Sequence, residues 1–402
     1  MIIDFKLENF SSFKKEATLD CKKTSKEEFG ESFVKKENNL ELLNVISLIG
    51  VNGSGKSSLL EGLNFMKAMV LNSHTHNIDT DIKYNHFIDY KKPIKFEITF
   101  IFNKKKYRYG FSYTNKGIVK EYAHLIGKSL ETKTKIFERD ESNLKNRFSF
   151  GRSYETELKK KSYDVISTTL MLSRAVQLKS ESLKPIYEFF TKIYRIDLLF
   201  KNSLDFEDLK KPEFKEELLD KLTYADFSIE DLEIFKTKIK RLKNFHILGD
   251  STIKQEFEEE IIDALFLHHK HKDKLIRVNF DAESSGTKKF IILFYNLLKM
   301  SEDSIILYDE IESSFNIEII EFIINNLAND KKITQLIFST HQPDILNYLR
   351  SDQIKILDKQ DSISNIINLH EIVKSNSKIN RNYGDYYKEG VLGGFPNVYR
   401  NY

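Results

Sequence analysis

One stretch of this sequence has residue types suited to hold a chain of phosphates. Residues 50–57 read Gly-Val-Asn-Gly-Ser-Gly-Lys-Ser and follow the apolar run Leu43–Ile49. Glycines allow successive backbone N–H groups to turn toward one anion, and the start of a helix adds a partial positive charge. Only 15 of the 402 residues are glycine, so this pattern rarely arises by chance. The sequence predicts a phosphate-binding loop between a buried strand and an amphipathic helix.

The residues of this loop have roles that follow from their side chains. Lys56 is expected to reach the β and γ phosphates, and the Ser57 hydroxyl is expected to be a ligand of Mg²⁺. Further contacts to the phosphates of ATP are predicted for Asn52, Gly53, Gly55 and Ser58. The predicted cofactors are therefore ATP and Mg²⁺. A glycine turn without a ligand is the alternative.

Two carboxylates follow a second apolar run. Ile305–Tyr308 leads directly into Asp309 and Glu310. In a phosphoryl-transfer site the first carboxylate holds Mg²⁺, and the second orients or deprotonates the attacking water. An apolar strand that ends in acidic turn residues is also common without any catalytic role. This motif gains weight only together with the others.

Two further segments complete the candidate set. The apolar run Gln335–Thr340 is followed by His341. At the carboxyl end of a parallel strand, this histidine can face the phosphate loop and donate a hydrogen bond to the γ-phosphate or the catalytic water.

A group of small polar residues stands at the start of a long predicted helix. It consists of Ser284, Ser285, Gly286 and Thr287. Such residues at a helix amino end predict either a helix cap or an anion-binding site.

The order of these segments indicates a class of ATPase. Lys56 and Asp309 are separated by more than half of the chain, whereas Gly286 precedes Asp309 by only one helix and a turn. A RecA-like or small-GTPase core brings its acidic motif much closer to the lysine. A long insertion, a Ser-Gly helix, an acidic strand and then Ser-Thr-His is the order of an ABC-type ATPase head.

These motifs resemble those of the ABC-type AAA-family ATPases of bacterial abortive-infection and anti-phage systems, which are related to the ATPase half of OLD-family proteins. The similarity spans nearly the whole chain. It begins at Phe5–Phe13, continues through Ser-Thr-His and includes the tail at 383–387 and 393–397. The resemblance implies a homodimer that sandwiches ATP head to tail, with Ser284–Thr287 of one copy contacting the γ-phosphate held by the other. It also implies an interface loop at Ser313 and Ser314. The candidate for the glutamine that contacts Mg²⁺ in such heads is Gln177.

The predicted fold class is α/β, an ABC-ATPase-like head with a mixed central sheet, an antiparallel β lobe and a mostly helical insertion. Residues 1–130 are predicted to form the N-terminal ATPase lobe, including an antiparallel meander at 94–126. Residues 131–275 are predicted to form the helical insertion. Residues 276–402 are predicted to form the C-terminal ATPase lobe.

Composition restricts the compartment and the partners. Lys and Arg number 63 against 60 Asp and Glu, which gives a net charge of +3, and Cys21 is the single cysteine. No long apolar run or signal-type start is present, so we expect a soluble cytoplasmic protein without a membrane partner. Nucleic acid remains an alternative partner, because Lys104–Lys106 and Lys159–Lys161 are local basic clusters.

The predicted function is an ATP-hydrolysing, nucleotide-gated switch or sensor. Its heads dimerise around ATP and control a separate nuclease or toxin in an anti-phage or DNA-surveillance complex. The motif set supports this prediction because it includes ATPase residues without a recognisable effector. One alternative is a self-contained effector that cleaves nucleic acid at a cryptic site in the insertion. Another is a passive scaffold that binds nucleotide and barely hydrolyses it.

Overall fold

The computed structural model describes two compact units. The first consists of Met1–Ile196 and Ser301–Tyr402, and the second is Asp197–Met300. The described residues are 1–26, 30–83, 85–88, 91–143, 145–196, 204–224, 228–248, 252–272, 274–313, 315–376, 379 and 381–394.

Strands provide most of the framework. In chain order they are β1 (Ile2–Glu8), β2 (Ala17–Asp20), β3 (Val34–Glu37), β4 (Leu40–Leu43), β5 (Val45–Ile49), β6 (Ile94–Phe102), β7 (Lys105–Thr114), β8 (Gly117–Ile126), β9 (Lys133–Asp140), β10 (Phe148–Phe150), β11 (Ile193–Arg195), β12 (Ile229–Leu248), β13 (Thr252–His271), β14 (Lys274–Asn279), β15 (Ser304–Tyr308), β16 (Ile333–Thr340), β17 (Ile354–Gln360) and β18 (Ile363–Asn368).

The α-helices lie mostly between these strands. They are Lys56–Asn72, Glu155–Ser162, Met171–Gln177, Lys184–Thr191, Phe206–Leu209, Pro212–Tyr224, Ser285–Leu298, Ile317–Asn329, Leu369–Ser375 and Tyr383–Lys388. No helix among the described residues is long and apolar enough to cross a lipid bilayer.

A six-stranded sheet forms one core of the first unit. Its order is β11-β15-β16-β5-β17-β18, with every pairing parallel except that of β17 with β18. Every residue of β5 and β15 is buried, as expected for parallel strands covered on both faces. The carboxyl ends of β15, β16 and β5 therefore meet at one edge of the sheet, where ligands bind in open parallel sheets.

A seven-stranded antiparallel sheet forms the second layer. Its order is β10-β9-β8-β7-β6-β1-β2, and the predicted meander at 94–126 is present as β6, β7 and β8. Aromatic side chains fill its inner face; the rings of Phe100 and Phe189 are stacked with centroids 3.7 Å apart. Leu59, Leu63 and Met66 of the helix Lys56–Asn72 belong to the same buried cluster. This buried cluster therefore holds the helix Lys56–Asn72 in place, and the phosphate loop leads directly into that helix.

The second unit differs from the predicted insertion. Residues 131–275 were expected to be mostly helical, but β9 and β10 extend the antiparallel sheet, and helices within 155–191 pack into the first unit's core. Ile229–Leu248 and Thr252–His271 are two antiparallel 20-residue strands that pair as a long hairpin, with β14 added to β13. The exposed and half-buried positions alternate along Lys236–Ile239, which is the period of a strand. An acidic run at 256–260 concealed this period in the sequence.

A buried carboxylate connects the antiparallel sheet to a helix. Glu121 accepts hydrogen bonds from Met171 N at 2.7 Å, Leu172 N at 3.0 Å and Tyr109 Oη at 2.9 Å. Arg139, also buried, lies 3.6 Å away. Burial raises the pKa of Glu121, while the guanidinium and the three donors favour its charged form. Glu121 therefore stabilises the amino end of the helix that begins at Met171.

Removal of this carboxylate is expected to destabilise the first unit. Glu121→Ala leaves the buried N–H groups of Met171 and Leu172 without their acceptor, so the free energy of unfolding should fall by about 2–3 kcal/mol. Arg139 keeps its second carboxylate partner, Glu141. Urea unfolding followed by circular dichroism measures this. The matched control is Glu8→Ala, which removes the partner of the exposed Lys95 and should cost at most about 1 kcal/mol. Equal effects of the two substitutions would contradict the role of Glu121.

Candidate ATP-binding and catalytic site

The phosphate loop connects β5 to the helix Lys56–Asn72 as predicted. Gly53 and Gly55 have φ values of 76° and 111°, which L-residues with side chains rarely adopt. A Cβ on Gly55 would lie 2.7 Å from Ser364 Oγ, whereas a Cβ on Gly53 would meet no atom within 4 Å. Gly55 is therefore packed against the protein, and Gly53 faces open space. Asn52, Gly53 and Ser57 are exposed and accessible to a ligand.

The amino-terminal turn of the chain packs against this loop. Ser11 Oγ lies 3.0 Å from Ser58 Oγ, so Ser58 is engaged within the protein. Ser364 Oγ donates to Ser12 Oγ at 2.7 Å, beside Gly55. The resemblance at Phe5–Phe13 thus coincides with residues that support the phosphate loop.

Lys56 is buried with its ammonium group on the loop. Its side chain is only 4% exposed, and Nζ donates to Gly50 O at 2.7 Å and to Val51 O at 3.2 Å. His341 Nδ1 lies 3.4 Å from the same Nζ. Two residues that are distant in the sequence therefore meet at the phosphate loop.

The charge of Lys56 depends on competing effects. Burial lowers its pKa to about 8, because desolvation disfavours the ammonium form. The three carboxylates after β15 act in the opposite direction and raise the pKa; in order of effect they are Glu312, Asp309 and Glu310. At neutral pH, Lys56 is therefore mainly protonated and able to attract phosphate.

Ser339, at the end of β16, connects to both predicted carboxylate positions. Its hydroxyl donates to Asp309 Oδ1 at 2.5 Å and accepts from Glu310 N at 2.8 Å. Its carbonyl accepts from Ile311 N at 3.1 Å. Asp309 is thus oriented at the sheet edge where Lys56 lies.

Glu310 has an unusual backbone conformation. Its φ is 51°, in the left-handed region that costs a residue with a side chain on the order of 1 kcal/mol or more. Ser313 N donates to Glu310 O at 2.9 Å and closes the turn. The side chain of Glu310 is exposed, and it follows the half-buried Asp309 at the end of the buried strand β15. This geometry leaves Glu310 accessible to a water molecule.

Glu312 is a site residue that sequence analysis missed. Its Oε1 accepts from His341 N at 2.6 Å, and its Oε2 is buried with no hydrogen-bond partner among the described residues. The signal in the sequence was a third carboxylate close behind Asp309 and Glu310. Carboxylate and hydroxyl oxygens are the ligands Mg²⁺ prefers. Asp309, the exposed Ser57 and the unpartnered oxygen of Glu312 therefore fit a Mg²⁺–ATP complex.

Arg195 is a second residue missed by sequence analysis. It ends β11, which pairs in parallel with β15, and its Nη2 lies 3.5 Å from Asp309 Oδ2. No local pattern distinguishes this arginine; only strand pairing brings it to Asp309.

No contact of Gln177 with the phosphate loop is present among the described residues, and its role stays a prediction. It ends the helix that begins at Met171, where Leu170 N and His74 N donate to Ser73 Oγ and Ser173 Oγ. These contacts lie at the carboxyl end of the helix that begins at Lys56, roughly 25 Å away along its axis at 1.5 Å per residue. Its role as a Mg²⁺ ligand thus has no support from these contacts.

The Ser284–Thr287 segment is built as a helix amino end in the second unit. Ser284 is the cap of the helix Ser285–Leu298, and its Oγ accepts from Thr287 N at 3.1 Å. Ser284 and Ser285 are exposed, and Gly286 is partly exposed. The ion pair of His269 with Glu283, at 2.6 Å, ties the preceding residue to β13. The segment is both a cap and an accessible helix amino end.

The predicted interface loop follows the catalytic carboxylates. Ser313 is exposed in the turn closed by Glu310 O. Ser314 lies outside the described residues.

Comparison with known proteins establishes the family. The sequence model of the family described as "AAA domain, putative AbiEii toxin, Type IV TA system" matches residues 45–347. This range is about three quarters of the chain and includes the phosphate loop, the second unit, Asp309 and His341. The chain belongs to this AAA-domain family, and the family resemblance predicted from the sequence is confirmed.

Solved structures with a similar fold are SMC heads. The SMC head domain from Thermotoga maritima is 12% identical with a TM-score of 0.43, covering 91% of this chain and 98% of that chain. An Smc head domain bound to the C-terminal domain of ScpA derived from Pyrococcus furiosus is 12% identical with a TM-score of 0.44, covering 94% and 98%. No curated protein matches the chain. The family assignment rests on the family match.

The pKa of Lys56 predicts how ATP binding depends on pH. Because the lysine loses its charge as the pH rises through about 8, affinity for Mg²⁺-free ATP should fall about tenfold between pH 7 and pH 9. Glu312→Gln removes a carboxylate that raises this pKa, so the loss should begin at lower pH. Titration with a fluorescent ATP analogue measures both curves. A dissociation constant that stays constant from pH 7 to pH 9 would contradict this account.

Glu310→Gln is expected to separate binding from hydrolysis. Loss of the base should lower kcat at least a hundredfold, within the range for general-base catalysis, while ATP affinity changes little. Phosphate release and equilibrium ATP binding measure the two effects. Lys56→Ala is the matched comparison, because it should abolish ATP binding itself. Unchanged phosphate release from Glu310→Gln would remove Glu310 from its catalytic role.

Proposed function

We propose that this protein is an ABC-type ATPase whose heads dimerise around ATP and act as a nucleotide-gated switch for a separate effector. The observation that carries the proposal is the convergence of the phosphate loop, Asp309, Glu310 and His341 at the carboxyl ends of three adjacent strands. The contact of Lys56 with His341 joins the two most distant of these motifs. A passive nucleotide scaffold does not require an exposed carboxylate in a strained turn beside this lysine.

Each side chain of this site has a separate role in the proposed hydrolysis of ATP. Lys56 exchanges its bonds to the loop carbonyls for bonds to phosphate oxygens. Ser57 and Asp309 would hold Mg²⁺, which neutralises phosphate charge when it is bound. Glu310 accepts the proton of the attacking water, and His341 donates to the γ-phosphate. Each group acts from the same edge of the sheet.

The switch depends on a second copy of the chain. Ser284 and Ser285 are exposed at a helix amino end, which offers backbone N–H groups and a partial positive charge to an anion. We assign this segment to the γ-phosphate held by the partner copy, with Ser313 and Ser314 in the adjoining interface loop. ATP then contacts both copies only in the closed dimer, which gives it the differential affinity that a switch requires.

The family description supports the setting that we propose. Its description names a toxin of a type IV toxin–antitoxin system, which supports a role in abortive infection. We assign this chain to the cytoplasm, as the ATPase that restrains or releases a nuclease or toxin carried by another protein. No specific observation on the described residues favours the alternative, a nuclease site within the insertion.

Mixed dimers test whether the site is shared between copies. Lys56→Ala lacks a working phosphate loop, and Ser284→Asp keeps a good helix cap but places a negative charge against the γ-phosphate. Each variant alone should be inactive. When the two variants are mixed in equal amounts, about half of the dimers contain one copy of each. Each mixed dimer has one intact site of two, so phosphate release should recover to about a quarter of the wild-type rate.

The controls separate shared sites from simple defects. Ser284→Asn keeps the cap without the charge and should retain more activity than Ser284→Asp. Circular dichroism should show that all variants are folded. Mixtures that stay as inactive as their separate components would contradict a site built from two copies.

A further inference from the structure

A basic cavity lies on the first unit, outside the ATP site. Its volume is about 450 Å³, and four lysines line it with no carboxylate among the lining residues. Lys104 and Lys128 lie in turns of the antiparallel sheet, and Lys105 and Lys106 are the first residues of β7. With a net charge of only +3 on the whole chain, this is a local concentration of positive charge.

Hydrogen bonds between turns hold this cavity in shape. Asn38, in the turn between β3 and β4, donates through Nδ2 to Lys104 O at 2.9 Å in the turn between β6 and β7. Lys106 is only 6% exposed, and its Nζ donates to Lys128 O at 3.2 Å in the turn after β8. Three separate hairpin turns are therefore joined around one opening. The cavity is a built feature of the fold.

The lysines at this opening differ from others on the same sheet. Lys6, Lys95 and Lys120 each lie within 3.2 Å of a carboxylate oxygen, on Glu97, Glu8 and Asp140. In contrast, no ion pair in the described part of the chain involves Lys104, Lys105 or Lys128, and all three are exposed. Their charge is not neutralised within the protein. A ligand for this opening must therefore be anionic.

The geometry points to this cavity as a binding site for the phosphate backbone of duplex nucleic acid. Lysine ammoniums are point charges that attract phosphates and release counterions, without reading base sequence. Single-stranded nucleic acid is bound on aromatic side chains that stack with bases, and no aromatic residue is among those lining the cavity. Contact with phosphates alone therefore favours a duplex and predicts binding that is independent of sequence.

This site does not depend on the proposed ATPase cycle. It lies on the antiparallel sheet, and none of its lining residues belongs to the phosphate loop or to the carboxylate turn. The Lys56→Ala variant should therefore keep its affinity for duplex. Failure of one proposal leaves the other intact.

Salt-dependent binding of a labelled 30-base-pair duplex tests the inference. In the full chain without nucleotide, affinity should fall at least tenfold for the triple variant Lys104→Gln, Lys105→Gln and Lys128→Gln. The slope of log affinity against log salt should become shallower by up to about three, because up to three phosphate contacts are lost. Fluorescence anisotropy measures both quantities on DNA and on RNA duplexes. Retained ATP binding shows that the variant is folded.

A matched triple variant controls for net charge. Lys6→Gln, Lys95→Gln and Lys120→Gln remove the same total charge from the same sheet and should leave the slope nearly unchanged. Weaker binding of the cavity variant to DNA, to RNA or to both supports the site and identifies the duplex it prefers. Equal losses in the two triple variants would overturn it. So would an unchanged duplex affinity accompanied by lost binding to anionic lipid vesicles.

Discussion

The hydrogen bonds of Ser339 hold together the two carboxylate positions of the candidate site. One buried hydroxyl accepts from Glu310 N and donates to Asp309, and the carbonyl of the same residue fixes the next amide. Ser339 is positioned because β16 lies between β15 and β5, so its strand end adjoins both the carboxylate turn and the phosphate loop. The carboxylate of Asp309, the exposed Glu310 and the buried Lys56 are therefore held in fixed positions near one another.

Electrostatics imposes a second constraint on this frame. A buried ammonium is costly, and Lys56 remains mainly charged at neutral pH because carbonyl oxygens and nearby carboxylates compensate for lost water. Those same carboxylates would repel a triphosphate, and a divalent cation would offset this repulsion. Metal binding would alter two of the protein's own interactions. One involves the unpartnered oxygen of Glu312, and the other is the contact of Arg195 with Asp309.

Local patterns predicted much of the fold and part of the site. The phosphate loop needs glycines, one lysine and a helix start in a fixed order, so its residues can be predicted from the sequence alone. Ser339, Glu312 and Arg195 were not given roles, because their importance arises from pairing between distant strands. The long hairpin was missed because its charged residues obscure the two-residue period, and each strand is stabilised by its partner across the hairpin. Gln177 as a Mg²⁺ ligand stays a prediction, because sequence order does not reveal which end of a helix faces the loop.

The central claim is that one ATP is held by two copies of this chain. A structure of Glu310→Gln with ATP and Mg²⁺ tests it most directly, because the nucleotide should persist in the closed state. The account predicts a two-fold dimer in which each γ-phosphate contacts Lys56 of one copy and Ser284 of the other. ATP bound to a single copy, with Ser284 of both copies distant from any phosphate, would contradict it.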